Sequence, residues 1–153
     1  MNTLSDSLLS KDVKLQLKSS DHHDALEEIL SPLRSDMRIR DWDELRLALL
    51  ANSLNETFRE VPGAIFLHHC RTESVSELVL AAGLSTSGII MPGREERVYL
   101  IFVAAIPEAL NNEYLRILGA ISRVCSAPET MQKLQNFEST SEFLTFLERG
   151  CRA

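Results

Sequence analysis

Four histidines occur in two adjacent pairs, His22-His23 and His68-His69, and the second pair closes the apolar run Ala64-Ile65-Phe66-Leu67 just before Cys70 and Arg71. Successive side chains of a strand point to opposite faces, so this spacing predicts one imidazole toward the core and its neighbour in a surface depression. A neutral imidazole nitrogen can take a phosphoryl group through a loose transition state, in which the protein mainly positions the group and neutralises its equatorial oxygens. Arg71 lies two residues beyond His69, on the same strand face, and supplies a planar cation for that purpose. A phosphohistidine of this kind is a reversible carrier that needs no cofactor, nucleotide or metal of its own. The alternative is a pair of strand-terminal histidines satisfied by backbone carbonyls, with Arg71 a solvated cation.

Other chemistry finds less support. His22 and His23 sit between Asp21 and Asp24 in a first helical turn, where solvated side chains are expected, and no further metal ligands stand at suitable spacing. A Cys-His nucleophile using Cys70 is disfavoured because neighbours on a strand diverge and no Asp or Asn orienter is evident. Neither G-x-x-x-x-G-K-[ST] nor G-x-G-x-x-G occurs. Cys70, Cys125 and Cys151 are odd in number without C-x-x-C spacing, which fits reduced thiols. Sixteen Lys and Arg against 22 Asp and Glu leave a formal charge of −6 with no basic block, which argues against nucleic acid or an anionic membrane surface as partner. No apolar run approaches the roughly 20 residues of a membrane span, and Met1 to Lys11 has no cationic lead into an apolar stretch. A cytoplasmic protein with protein or small-molecule partners is expected.

The elements that must hold these side chains follow from periodicity. A polar tail is expected over residues 1–10, followed by a single domain over 11–153. Val13, Leu15 and Leu17 alternate with polar residues as in an edge strand. Ala25, Leu26, Ile29 and Leu30 share a helical face that Pro32 ends, and Asp41 with Glu44 resembles a capping box for a helix running to about Phe58. Pro62-Gly63 precedes the histidine strand. A further strand is expected over Ser76 to Ser85, with turns at Gly83, Gly88, Pro92 and Gly93, and the strongest strand over Val98 to Ala105. Leu110, Tyr114, Ile117, Leu118, Ile121 and Val124 form a helical stripe. Two more helices start near Pro128 and at Ser139, the latter with Glu142 at its N3 position. Near-continuous apolar strands need both faces covered, which predicts an α/β sandwich.

From about Asp12 to Leu147 this order of elements resembles the enzyme IIA domain, fructose/mannitol type, of the bacterial phosphoenolpyruvate-dependent phosphotransferase system, particularly its nitrogen-regulatory (PtsN-like) branch. The family motif is an apolar strand ending in Pro-His, then a small and a basic residue; Ile65-Phe66-Leu67-His68-His69-Cys70-Arg71 is similar to it. Val98 to Pro107, Glu113 to Leu118 and Ser139 to Leu144 resemble the family's later core strand and its following helices. The resemblance implies a mixed β-sheet sandwiched by helices, with His69 as phosphoacceptor charged by an HPr-type phosphocarrier protein, and regulatory target proteins as partners. Arg59-Glu60 resembles the family's Arg-Glu pair, although a gapless alignment puts Asn52 or Ser53 there. Tyr114 stands where the family often has a second histidine, and its hydroxyl can hydrogen-bond a phosphate oxygen. His68 replaces the motif's proline, and the usual Ser-Thr-Gly loop is not recognisable. These departures motivate an alternative, an enzyme IIA-like interaction module that has lost phosphotransfer.

Overall fold

The computed structural model describes residues 4–51, 58–61, 65–91, 95 and 97–152. Its centre is a five-stranded mixed sheet built from β1 (Leu8–Lys14), β2 (Phe58–Val61), β3 (Ile65–Arg71), β4 (Val79–Ile90) and β5 (Arg97–Ile106). The strand order is β1-β4-β5-β3-β2. β1 runs parallel to β4, β4 antiparallel to β5, β5 parallel to β3, and β3 antiparallel to β2.

Two apolar layers cover the sheet, as the unbroken apolar strands require. On one face, α2 (His22–Leu30) and α3 (Trp42–Ala51) bury Leu26, Ile29, Leu45 and Leu49 against Phe66, Cys70, Ile101 and Val103. On the other, α4 (Asn111–Cys125) and α6 (Thr140–Arg152), with α5 (Pro128–Lys133) between them in sequence, bury Tyr114, Ile117 and Ile121 of α4 and Phe143 and Leu147 of α6 against Ile65, Leu67, Leu100 and Phe102. The predicted α/β sandwich is therefore present. Ser139 caps α6 through its Oγ, which accepts from Glu142 N at 3.1 Å. Asp41 caps α3 likewise, accepting from Glu44 N at 3.1 Å.

Several boundaries differ from expectation. The tail predicted over 1–10 is, from Leu4 onward, a one-turn helix α1 (Leu4–Ser7) leading into β1. Leu4 and Leu8 lie four residues apart and are both buried, so a segment polar on average still carries a core contact. α3 is described over Trp42–Ala51, and Phe58, where that helix was expected to run, belongs to β2, its backbone paired with His68 of β3. β4 starts at Val79 and runs through Gly83 and Gly88, where turns were expected. The pairing slips between Leu84 and Ile89, and Gly88 takes φ +93°, a conformation that favours glycine. Pro62-Gly63 and Pro92-Gly93 lie outside the described residues.

The connections around the C-terminal end of β3 are tied down by buried charge. Asp12 of β1 is fully buried, and its carboxylate accepts from Arg38 Nη2 at 3.1 Å and from Lys11 Nζ at 3.0 Å. Arg38 also donates to Asp36 from Nη2 at 2.7 Å and Nε at 2.9 Å, and to the Ser7 carbonyl at 3.0 Å. These bonds hold the Asp36 carboxyl well below the usual carboxylate range, whereas burial pushes the Asp12 carboxyl up. The segment so anchored supports the turn after β3: the Arg38 carbonyl accepts from Ser76 N at 2.9 Å, and the Ser74 carbonyl accepts from Arg40 N at 2.6 Å.

Candidate functional site

Strand alternation divides the end of β3 between the two layers. Ile65 and Leu67 face the α4–α6 layer, and His69 continues that parity; its ring stacks on Tyr114 with centroids 5.9 Å apart and planes 29° apart. Phe66 and Cys70 face the α2–α3 layer, and His68 continues theirs. In the sheet, His69 pairs with Ala104 and His68 with Val103 of β5. The expected division of the adjacent histidines between opposite faces is thus present.

Neither ring is open, however. His69 is 7% exposed and His68 2% exposed, and His69 Nδ1 is shut off from solvent. Tyr114, in the first turn of α4, covers the His69 ring, where a surface depression was expected.

Arg71 completes the polar end of β3. It is exposed, and its Nε donates to Asn111 Oδ1 at 3.0 Å, joining the strand end to the first residue of α4. That helix starts after a 3-10 turn over Glu108–Leu110 and has no side-chain cap. The unpaired N–H groups and positive dipole end of a helix N-terminus favour an anion. Thr72 N donates to the Ile106 carbonyl at 2.9 Å, which holds the ends of β3 and β5 level. His69, Arg71, Asn111 and Tyr114 therefore meet at one end of the sheet.

The remaining sequence-expected residues fall differently. Arg59 is in β2, its Cα opposite that of Leu67, two residues before His69. Asn52, Ser53 and the segment where the Ser-Thr-Gly loop was sought lie outside the described residues. Tyr114 is 3% exposed, with its ring stacked on that of His69 and its hydroxyl buried.

His22 departs most from expectation. It is 3% exposed, and its Nε2 lies 2.7 Å from His68 Nε2, with ring centroids 4.9 Å apart and planes 16° apart. Desolvation lowers the pKa of both rings, that of His68 to about 3, with His22 and His69 adding to the shift at His68. His23, by contrast, is exposed, as expected. The overlooked signal was in the spacing: His22 precedes Ala25, Leu26 and Ile29 by three, four and seven residues, the buried stripe of α2. Asp21, the N-cap, accepts from Asp24 N at 3.2 Å and starts the helix at that point. Asn111 was also missed; a polar residue at the start of the Leu110 to Val124 stripe was its only signal. Among the described residues no group of three or more His, Cys, Asp or Glu could hold a metal ion, and no helix is long and apolar enough to cross a membrane.

A mixed sheet between two helical layers, with a histidine and an arginine at the end of an inner strand, defines a class of histidine-bearing α/β sandwich domains. Comparison with known proteins narrows that class. The family model described as "Phosphoenolpyruvate-dependent sugar phosphotransferase system, EIIA 2" matches residues 7–150. The chain belongs to this family of phosphocarrier domains. It is 29% identical over 116 residues to the phosphotransferase-system fructose-specific EIIA component of Haloferax volcanii, covering 75% of each chain. It is 22% identical over 138 residues to the fructose-specific EIIABC component of Bacillus subtilis, covering 90% of this chain but 22% of that longer protein. Its fold is similar to that of nitrogen regulatory protein IIA-Ntr from Neisseria meningitidis, with TM-score 0.79 at 19% identity, covering 94% of this chain and 98% of that one.

Proposed function

We propose that the protein is a phosphoryl carrier and regulator of the phosphotransferase system, in which His69 accepts a phosphoryl group from an HPr-type phosphohistidine protein. The observation that carries this reading is the meeting of His69, Arg71 and the first turn of α4, with Arg71 Nε on Asn111 Oδ1 at 3.0 Å. Because Nδ1 of His69 is shut off from solvent, Nε2 is the attacking atom. Its lone pair forms the new N–P bond as the donor's N–P bond breaks and the donor imidazole leaves, while Nδ1 keeps its proton. Arg71 and the α4 amide groups neutralise the equatorial oxygens. Arg59, on the neighbouring strand, is a second candidate cation. The phosphoryl group adds about 1.5 to 2 negative charges, enough to exchange one set of docking partners for another. The finer form of this reading is a cytoplasmic, PtsN-like regulatory role instead of direct sugar transport.

The test is incubation with phosphoenolpyruvate, enzyme I and HPr, followed by intact-mass measurement. An acid-labile gain of one phosphoryl group, absent in His69→Ala, is expected; no gain, or a gain that persists in the variant, rejects the assignment. The slight exposure of His69 favours one second reading, an interaction module without phosphotransfer. Partner binding unaffected by phosphoenolpyruvate and by His69→Asp would select it.

A further inference from the structure

The His22–His68 contact lies directly behind the acceptor strand, on the sheet face opposite the His69 ring. Two imidazoles joined Nε2 to Nε2 at 2.7 Å hold a proton between them, one ring donating and the other accepting. Both are buried, so in the free protein the pair is held neutral by desolvation. Its position is set by adjacency: His68 and His69 share a peptide bond, and a charge placed on one is felt by the other through the interior.

We infer that the His22–His68 pair takes up a proton when His69 is phosphorylated, so that acidification favours the charged carrier and the domain's loading responds to pH. This rests on the reading of His69 as phosphoacceptor. In the step, the phosphoryl group forms its bond to His69 while one proton from solvent converts one ring of the pair to imidazolium, which donates its Nε2 proton to the neutral partner. The imidazolium is stabilised by the new anion, and the N–H···N bond becomes charge-assisted. By linkage, a state that binds one more proton gains up to about tenfold in its equilibrium constant for each pH unit of acidification, within the window where only that state is protonated.

The groups around the pair fit this role. From α2, Asp21 at the N-cap favours a charge on His22, whereas His23 opposes it. From β3, His69 opposes a charge on His68 while it carries no phosphoryl group, and the sign of that influence reverses once it does. Cys70 shares the pair's sheet face, and burial pushes its thiol up to about 11, so it stays neutral. β5 places Val103 beside His68. The ionisable residues of α3 lie toward its surface, Asp43 and Glu44 exposed and Arg46 paired with Glu27 of α2 at 2.9 Å. Asp21 is the carboxylate that acts on the pair, and burial outweighs it at His22.

The experiment charges the wild-type protein and a His22→Gln/His68→Gln variant from the same phospho-HPr pool at equilibrium between pH 5 and 8, and reads each phosphorylated fraction by intact mass. Titration of the donor cancels in the quotient of the two equilibrium constants. A quotient that falls as pH rises, by as much as tenfold over a unit, is expected; a flat quotient overturns the inference and leaves the carrier assignment standing. No acid-labile mass gain in the wild type overturns both. Should the variant fail to fold, the 15N ring resonances of His22 and His68 in the wild type decide the matter. Movement toward imidazolium on phosphorylation is expected, and unchanged neutral resonances overturn the inference.

Discussion

Lowering the pH from 7 to 5 should destabilise the unphosphorylated protein by about 2 kcal/mol through His68 alone. In the folded chain His68 has a pKa of about 3, and in the unfolded chain about 6.5. A depressed folded pKa means that the unfolded state binds more protons below pH 6.5, so this ring's contribution is fully present above that pH and is lost as pH falls. Integrating the proton difference from pH 7 to 5 gives RT ln(32.6/1.3), about 2 kcal/mol, and the value hardly changes for any folded pKa below about 4. His22, also lowered, acts in the same direction. Asp36 is held well below the usual carboxylate range and so loses its contribution mainly under more acidic conditions. Urea unfolding of wild type and His68→Gln at both pH values measures the effect, since groups common to both proteins cancel. With a urea slope of about 2 kcal/mol per M, the wild-type midpoint should fall by about 1 M more than that of the variant. Equal shifts would refute the reasoning, because His68 would then be charging inside the native state.

Two further outcomes test the surroundings of the site. Arg38→Met leaves the buried Asp12 and Asp36 carboxylates with Lys11 as their remaining cation, and should destabilise the fold by about 3 kcal/mol in urea unfolding at pH 7. A loss under about 1 kcal/mol would mean that both carboxylates regain water. Cys70, with its thiol pushed up to about 11 by burial, should resist alkylation by iodoacetamide at pH 8 in the native protein and react once urea unfolds it. Peptide mapping distinguishes it from Cys125 and Cys151, and rapid native labelling of Cys70 would contradict its burial.

The parts of the fold legible from the sequence were those written in local periodicity. The apolar stretch Val98 to Ala105 became the inner strand β5, and the Leu110 to Val124 stripe became α4. The Asp41 and Ser139 caps occur where a short polar side chain is followed three residues on by Glu. Phe58 was misassigned because an apolar residue after a helix looks the same whether the helix continues or an edge strand begins. That choice was made by pairing with β3. Gly83 and Gly88 were read as turns, but Gly88 sits at an irregularity in the pairing of β4, whereas Gly83 pairs regularly with Ile101 where a Cβ would collide with Ile29.

At the site, the sequence determined by itself that His68 and His69 point to opposite faces and that Arg71 follows His69's side, since side-chain alternation is a property of any extended strand. Tertiary structure alone decided what each meets: Tyr114 and the start of α4 on one side, and His22, 46 residues away in sequence, on the other. Helical spacing could have marked His22 as inward-facing, but its partner across the sheet could not be read from any local pattern. The reason is physical. The loss of water around a side chain, and with it the pKa of an imidazole, depends on which distant segments close over it in the folded chain.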